Sequence, residues 1–310
     1  MSVTVWVTGA NGFIGRHLCR RLVINGERVV GLGNDVSQCD VNLLGRIEGI
    51  ISDWAFDQAL AKYGAPKVIF HLAGGSSVAL SITDPNAEAI KTLGAGASLI
   101  AWIKRNAPEV NLVFASSAAV YGADHAGAIR ECGITNPLSP YGVHKLAVER
   151  QIITAGLDWG LRSAIVRLFS LYGPGLRRQI LWDIATRIEM GNDDLQLMGS
   201  GNECRDFLQI NDCVNLLTIL VNHTSSNSTI VNGASGVSRS IYSVASELCQ
   251  HATKEIRVKF TGATREGDPK CLVADISKSE LLGFSPTVCW EDGVRDYMNW
   301  IRRGACARGI

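Results

Sequence analysis

Apolar runs and helical periodicities alternate along the first half of the chain. Five short, mainly apolar runs rich in β-branched residues predict strands that are buried on both faces, as in a parallel sheet. They lie at 3–8, 28–32, 68–72, 112–115 and 164–169. Between them, Ile14, Leu18 and Leu22 recur at helical spacing, and further helices are predicted at 90–103 and 141–155. The alternation predicts an α/β fold, a doubly wound parallel sheet covered by helices.

The pattern changes after the turn-forming segment 172–175, which contains two glycines and a proline. Shorter elements follow, joined by polar connections such as 191–194 and 222–228. We therefore predict that residues 1–175 form the sheet domain and that residues 176–310 mainly form a smaller C-terminal lobe. The boundary is approximate, because later segments of the chain can return to the sheet domain.

Composition narrows the possible partners. With 46% hydrophobic and 19% charged residues among 310, the chain is globular rather than disordered or fibrous. Lys and Arg number 30 against 29 Asp and Glu, so the net charge of +1 argues against nucleic acid as a partner. No apolar run approaches the ~20 residues of a membrane span and no secretory signal is visible, so a cytoplasmic location without membrane contact is predicted. Nine scattered cysteines without a CxxC pair indicate reduced thiols and no metal site.

A glycine-rich segment lies between the first predicted strand and the first predicted helix. It reads GANGFIG over residues 9–15. The first glycine permits a sharp turn, the middle one lets a pyrophosphate approach the backbone, and the last lets helix and strand pack closely. The free N–H groups at the helix start attract phosphate. The segment therefore predicts dinucleotide binding.

A second group of residues has the chemistry for proton transfer. Ser116 and Ser117 follow a buried strand, at the sheet edge where ligands of α/β proteins bind. Tyr141 and Lys145 are spaced i and i+4, on one face of a helix that Pro140 is suited to begin. A phenol has a pKa near 10, which a nearby ammonium group lowers. Tyr141 is thus predicted to exchange a proton with a hydroxyl or carbonyl oxygen to which Ser117 also hydrogen-bonds.

These motifs resemble those of the extended short-chain dehydrogenase/reductase family, the nucleotide-sugar-modifying epimerases and dehydratases. The resemblance rests on TGANGFIG at 8–15, FASSAAVYG at 114–122 and PYGVHK at 140–145, and it extends over nearly the whole chain. It implies a Rossmann-type domain that binds NAD(P) at 1–175, and a substrate-binding lobe mainly at 176–310. It further implies a homodimer, in which helices equivalent to 90–103 and 141–155 pair between subunits.

The resemblance also implies which residues contact the cofactor. They are Gly9, Asn11, Gly12, Phe13, Ile14, Gly15, Asn34, Leu72, Ala73, Tyr141 and Lys145. The acidic residue that binds the adenosine ribose in NAD-using relatives is replaced by Gly33, beside Asn34 and Asp35, and a second acidic position is Ile50. Arg16 is placed either to face a 2′-phosphate or to lie solvated on the helix. The cofactor is therefore predicted as NAD or NADP, without a choice between them.

The residues after Ser117 restrict the reaction. Dehydratases of the family have an Asp-Glu pair there, but this chain has Ala118-Ala119, which argues against 4,6-dehydration. Hydride transfer at C4 of a nucleoside-diphosphate sugar remains. A 4-keto-sugar reductase is slightly preferred, because the missing acidic contacts suit an exchangeable NADPH and the chain is short for an epimerase. The alternative is an NAD-dependent 4-epimerase, and a catalytically silent dinucleotide-binding regulator is a remote third.

The resemblance also implies substrate contacts in both predicted domains. The predicted substrate-binding residues are Ser116, Ser170, Arg205 and Arg265. Ser170 stands where relatives usually have an Asn that contacts the substrate, and the two arginines suit a diphosphate because a guanidinium binds phosphate oxygens in pairs. The structural alternatives are an ion pair between Arg205 and Asp206 and a solvated loop charge for Arg265. Thr92 replaces an Asn that supports the active-site loop in relatives.

Overall fold

The structure is a computed structural model that describes residues 4–36, 39, 41–123, 125–191, 193–263 and 269–306. The strands are β1 Thr4–Thr8, β2 Arg28–Gly33, β3 Gly45–Glu48, β4 Val68–His71, β5 Asn111–Ser117, β6 Arg162–Leu168, β7 Ser170–Tyr172, β8 Asp194–Leu197, β9 Cys204–Gln209, β10 Thr229–Gly233, β11 Ser238–Ser240, β12 Arg257–Phe260 and β13 Cys271–Leu272. The α-helices are α1 Phe13–Ile24, α2 Asp53–Tyr63, α3 Val78–Thr83, α4 Pro85–Ala89, α5 Ala95–Asn106, α6 Pro140–Trp159, α7 Gln179–Glu189, α8 Ile210–Leu220, α9 Ile241–Gln250, α10 Ser277–Leu281 and α11 Trp290–Cys306.

A seven-stranded parallel sheet organises the molecule. Its strand order is β10-β6-β5-β4-β1-β2-β3, so the chain builds outward in one direction from β1 and then in the other from β4. The loops that follow β1 and β4 diverge at this point, which is where ligands of open α/β sheets bind. The predicted doubly wound α/β fold is confirmed.

Two apolar layers bury the faces of the sheet. On one face, Leu18 and Leu22 of α1 pack with Leu216 and Leu217 of α8 against the strands. The opposite face is covered by α2, α5 and α6, where the ring of Trp102 lies 5.3 Å from that of Trp6 in β1. Because both faces are covered, the central strands are apolar at nearly every position, as the sequence pattern predicts.

A smaller unit lies beyond the carboxyl edge of the sheet. It contains a sheet built from β7, β9, β11 and β13, the pair β8–β12, and helices α7, α9 and α11 around a third apolar core. Strand β10 returns after this unit has begun and joins the large sheet beside β6. The predicted division at residue 175 stays a prediction.

Two predicted helices differ from the observed ones in their bounds. The helix predicted at 141–155 runs from Pro140 to Trp159. It begins at Pro140 because the Ser139 side chain accepts a hydrogen bond from the N–H of Gly142, and it ends before Gly160, which has a left-handed backbone conformation. The helix predicted at 90–103 begins with a π-helical turn, Ile90–Gly94, and continues as α5 to Asn106. Within the described residues, no helix is both long and apolar enough to cross a membrane.

Candidate active site

The glycine loop between β1 and α1 leaves no room for side chains at its two ends. Gly9 has φ +71°, and its N–H donates to the carbonyl of Leu32 at 2.8 Å. A Cβ on Gly9 would lie 3.0 Å from the backbone nitrogen of Ala73, and a Cβ on Gly15 would lie 2.1 Å from the carbonyl oxygen of Gly9. Glycine at both positions therefore lets the loop pack against the end of β4 and against its own helix.

The start of α1 has the properties of a phosphate site. Gly12 is the N-cap and supplies no side-chain hydrogen bond, and Phe13 and Ile14 begin a first turn without acidic residues. The first N–H groups of a helix have no acceptor within the helix and attract anions. The buried Oδ1 atom of Asn11 has no hydrogen-bond partner among the described residues. This cradle fits the pyrophosphate and an adjoining polar group of a dinucleotide.

The loops that follow β1 and β4 are fastened to each other. The N–H groups of Leu72 and Ala73 both donate to the Thr8 hydroxyl, each at 3.2 Å. The Thr8 hydroxyl also hydrogen-bonds Nδ1 of His71, at 2.8 Å. Leu72 and Ala73 consequently line the same crevice as the glycine loop, where the sequence predicts cofactor contacts.

The end of β2 lies beside the glycine loop and lacks an acidic side chain at its last position. A Cβ on Gly33 would lie 3.4 Å from the backbone nitrogen of Gly9, so this position adjoins the predicted adenosine site. Asn34 and Asp35 follow, both exposed, and Asp35 has φ +54°. Arg16 is exposed on α1. Of these residues, Asn34 and Asp35 offer polar groups beside the predicted adenosine site.

Ser117 and Tyr141 meet at the carboxyl end of β5. Ser117 is the last residue of the strand and Tyr141 lies in the first turn of α6, and the Ser117 hydroxyl is near enough to the phenol to affect its pKa. Burial raises the pKa of the Tyr141 phenol, and the Ser117 hydroxyl opposes that rise. The charge of Glu88 raises the pKa of Tyr141 further, and the charge of Arg178 lowers it. The phenol is thus held beside a hydroxyl in a site that tunes its acidity.

Lys145 lies one helical turn beyond Tyr141 on the same face of α6. Its ammonium nitrogen donates to the carbonyl of Ala115 at 2.9 Å and lies 5.9 Å from the centre of the Tyr141 ring. Burial lowers the pKa of Lys145 to about 8, and the charges of Glu88 and Glu149 oppose that fall. The structure brings together Ser117, Tyr141 and Lys145, as the spacing predicts.

Ser116 requires a correction. It was predicted to bind substrate, but its side chain is buried and its hydroxyl donates to the carboxylate of Glu149. Glu149 in turn forms a buried ion pair with Arg167, at 2.7 Å. Because successive side chains of a strand point to opposite faces, Ser116 faces the interior when Ser117 faces the site.

The Glu149–Arg167 pair is expected to be a major contribution to stability. Glu149→Gln should lower the free energy of unfolding by about 3 kcal/mol, because it leaves the buried Arg167 charge without its partner. Urea unfolding followed by circular dichroism measures the change. Glu109→Gln, at an exposed position before β5, is the matched control and should unfold like the parent protein. An unchanged unfolding midpoint for Glu149→Gln would contradict the expectation.

The remaining predicted substrate residues lie in or near the smaller unit. Ser170 begins β7 and is half-buried, and Arg205 in β9 donates to the carbonyl oxygens of Cys204 and Pro269, each at 2.8 Å. Arg265 lies outside the described residues. The carboxylate of Asp206, the residue weighed as an ion-pair partner of Arg205, is buried. It accepts hydrogen bonds from Ser235, Gly236 and Ala274. Substrate roles for Ser170, Arg205 and Arg265 stay predictions.

Two charged residues near the site were missed by the sequence interpretation. Arg178, which precedes α7, donates to the Ser76 hydroxyl at 2.5 Å and so connects the smaller unit to the loop after β4. Glu88 in α4 is buried and accepts a hydrogen bond from Thr92. The only local signal for Arg178 was its place just after a glycine turn, and Glu88 gave none, because helical glutamates are usually exposed.

Comparison with known proteins identifies relatives over the whole chain. The NAD dependent epimerase/dehydratase family matches residues 5–233. UDP-glucose 4-epimerase of Azospirillum brasilense is 29% identical, and the alignment covers 97% of this chain and 92% of that protein. An uncharacterized UDP-glucose epimerase of Bacillus subtilis is 28% identical over 96% of this chain and 97% of its own.

A solved structure gives the same result for the fold. The UDP-glucuronic acid 4-epimerase from Bacillus cereus, in complex with UDP-glucuronic acid and NAD, is 27% identical and superimposes with a TM-score of 0.87. The superposition covers 97% of this chain and 99% of that chain. The predicted family, Rossmann-type fold and nicotinamide cofactor are thereby confirmed. Because the family match runs from β1 to β10, across every strand of the sheet that carries the site, the chain belongs to the NAD dependent epimerase/dehydratase family, the extended type of short-chain dehydrogenase/reductase.

Proposed function

We propose that the protein is an NAD-dependent 4-epimerase of nucleoside-diphosphate sugars, with UDP-glucose and UDP-glucuronic acid as the substrates to test first. The observation that carries the proposal is the convergence of Ser117 at the end of β5 with Tyr141 and Lys145 on one face of α6, beside a dinucleotide cradle. The relatives compared above are named as epimerases of these two UDP-sugars. Their names support the same substrate class here.

The preference for a 4-keto-sugar reductase is not confirmed, and the epimerase alternative is better supported. That preference rests on the acidic residues missing at Gly33 and Ile50, which suit an exchangeable NADPH, and on the shortness of the chain for an epimerase. The Bacillus cereus relative was solved with NAD and is named as a 4-epimerase. Asn34 and Asp35 directly after β2 offer polar groups for the adenosine ribose, so loss of the acid at Gly33 does not exclude NAD.

The residues of this chain suit reversible proton transfer at one hydroxyl. Bound NAD supplies a hydride acceptor that can return the hydride to the opposite face of the same carbon. Tyr141 takes the proton from the C4 hydroxyl when the sugar is oxidised and gives it back when the 4-keto sugar is reduced. Ser117 donates a hydrogen bond to the same oxygen, and the Lys145 ammonium favours the ionised phenol. One residue thus serves both half-reactions, and no net oxidant or reductant is consumed.

The two residues that follow Ser117 have no acidic or basic side chain for elimination chemistry. The next two residues are Ala118 and Ala119, which form a short 3₁₀ turn, Ala118–Val120. Removal of water from C5 and C6 needs an acid and a base placed beside those carbons. Epimerisation at C4 needs no acid or base beside C5 and C6, so the alanines are consistent with an epimerase.

Deuterium transfer tests the proposal directly. UDP-glucose carrying deuterium at C4, incubated with the purified protein and no added cofactor, should give the C4 epimer with the deuterium still at C4. The label is retained because the hydride leaves and returns within one active site. Proton and deuterium NMR of the product measure the label. UDP-glucuronic acid labelled in the same way tests the second sugar.

Two results would contradict the proposal. Turnover that requires added NADPH and a 4-keto sugar would identify a reductase. Absence of dinucleotide in the denatured protein, together with no affinity for NAD or NADPH, would argue for a different class of protein. About one NAD per subunit is expected, because an enzyme that returns its hydride does not need to exchange its cofactor.

A homodimer stays a prediction. Several large apolar side chains are exposed on the helical layer that contains α3 and α6, and they support pairing of that layer between subunits. They are Leu80, Ile82, Ile90, Val143 and Leu157. Sedimentation equilibrium would give the mass, and a monomer mass would contradict the prediction.

A further inference from the structure

The carboxylate of Glu88 is buried beside the site and takes no part in the reaction described above. Glu88 is 6% exposed, and its Oε1 accepts a hydrogen bond from the Thr92 hydroxyl at 2.7 Å. The Thr92 oxygen in turn accepts a hydrogen bond from the N–H of Gly75 at 2.8 Å. A Cβ on Gly75 would fall 1.9 Å from Oε2 of Glu88. The carboxylate therefore lies directly against the loop that follows β4.

The same carboxylate faces the catalytic side of α6. Nδ1 of His144 is buried 3.9 Å from Oε1 of Glu88 and has no hydrogen-bond partner among the described residues. A Cβ on Gly74 would lie 3.2 Å from the Thr92 oxygen and 3.4 Å from Nζ of Lys145. The Thr92 hydroxyl, which donates to Glu88, and the Lys145 ammonium thus both lie near the same point beside Gly74.

Other titratable groups around Glu88 and Lys145 are few. α3, which packs on α4, has no titratable side chain, and Lys91 of the π-helical turn and Asp84 before α4 are exposed. Lys145 also faces His71, whose pKa burial lowers to about 3, and Glu149, whose charge is paired with Arg167. The other charge that acts on Tyr141 is that of Arg178. Glu88 is therefore the buried carboxylate near Lys145 and Tyr141 that lacks a guanidinium partner among the described residues.

The backbone at Glu88 is shaped for this contact. α4 ends at Ala89 and continues directly into the π-helical turn Ile90–Gly94, which places Thr92 inward and 2% exposed. Single π-helical turns are rare and are frequent at functional sites. A regular α-helix would place the residues after Glu88 differently relative to the loop at Gly75.

We propose that Glu88 is a positioning residue of the epimerase site, which keeps Lys145 positively charged, fixes the loop at 74–75 through Thr92, and sets the pH range of hydride transfer. The proposal rests on the proposed function. The direction of the effect follows from charge: a nearby carboxylate stabilises an ammonium ion and destabilises a phenolate. Accordingly, Glu88 raises the pKa of both Lys145 and Tyr141.

Glu88→Gln separates charge from shape. The amide oxygen can still accept from Thr92, but the negative charge is gone, so the pKa values of Lys145 and Tyr141 should both fall. The two limbs of the kcat profile report the ionisations of Tyr141 and Lys145 in the enzyme–substrate complex. Both limbs should therefore move to lower pH by about 1 unit. A role in packing alone would lower kcat at every pH without moving either limb.

Two variants control for structural damage. Glu88→Asp keeps the charge but shortens the side chain, so kcat should fall while both limbs stay at their parental pH. Glu109→Gln removes one negative charge from an exposed position and should leave both limbs and kcat unchanged. If Glu88→Gln fails to fold, Glu88→Asp still tests the proposal. A shift of both limbs away from their parental pH in this variant, which keeps the charge, would overturn it.

A second measurement does not depend on turnover. The near-ultraviolet absorbance of tyrosinate, taken as the difference between each protein and its Tyr141→Phe counterpart, gives the ionisation midpoint of the Tyr141 phenol. A lower midpoint in the Glu88→Gln background is expected, and an equal midpoint would overturn the proposal. If the parent protein turns over none of the UDP-sugars, the proposed function fails, and this titration still decides the electrostatic role of Glu88.

Discussion

Tyr141→Phe is expected to lower kcat for the C4 epimer by about 1,000-fold, within the range typical for loss of a general acid or base. The substitution removes the hydroxyl that would transfer the proton and leaves the ring beside Lys145. Cofactor content should not change, because the glycine loop and the loop after β4 form the dinucleotide cradle. Steady-state kinetics and the amount of NAD released on denaturation measure the two quantities.

Tyr297→Phe is the matched control. Tyr297 is also a buried tyrosine, but its hydroxyl donates to the carbonyl of Leu176 in the smaller unit, at 2.6 Å. Loss of that hydrogen bond should lower the free energy of unfolding by about 1–2 kcal/mol and leave kcat unchanged. Tyr141→Phe with parental kcat would contradict the assignment of Tyr141 as the acid and base.

Features that depend on neighbouring residues were predictable from the sequence. The turn at Gly9, the helix start at Gly12 and the close packing at Gly15 depend on a few consecutive backbone conformations. The i and i+4 spacing of Tyr141 and Lys145 is likewise a local property of a helix. The structure has all of them at the predicted elements, because strand, turn and helix here are set by the adjacent chain.

Features that depend on distant contacts were not predictable. Alternation along β5 requires Ser116 and Ser117 to face opposite sides, but only the packing of α6 decides that Ser116 meets Glu149. Arg178 reaches the site because the chain returns across the cleft to Ser76, which is 102 residues earlier. Glu88 is buried just before the π-helical turn, for which the sequence 90–94 has no recognised local signal.

The same distinction explains why the preference for a reductase is less well supported than the epimerase. Loss of the acidic residue at Gly33 is a local observation, and it bears on one contact with the adenosine ribose. Cofactor retention depends on the whole cradle, which includes the fastened loops at Thr8 and Ala73 and the buried oxygen of Asn11. The missing acidic contacts at Gly33 and Ile50 therefore had too much weight in the preference for a reductase.

Gly15→Ala is expected to abolish retention of the dinucleotide. The added Cβ would lie 2.1 Å from the carbonyl oxygen of Gly9 and 2.8 Å from that of Ala10, both backbone atoms of the cradle. The loop must shift by roughly an ångström, which takes its N–H groups out of hydrogen-bonding distance of the pyrophosphate. The free energy of unfolding should also fall by about 1–3 kcal/mol, the usual cost of overpacking. NAD affinity by calorimetry and urea unfolding measure the two effects.

Gly94→Ala tests whether the effect belongs to the position rather than to the loss of a glycine. Gly94 has helical backbone angles, and the nearest atom to its added Cβ is 3.9 Å away. Alanine there should leave NAD affinity unchanged and slightly raise the free energy of unfolding, because alanine favours a helix by about 1 kcal/mol over glycine. If Gly15→Ala binds NAD as tightly as Gly94→Ala does, the pyrophosphate does not lie on the glycine loop, and the cofactor assignment of residues 9–15 fails.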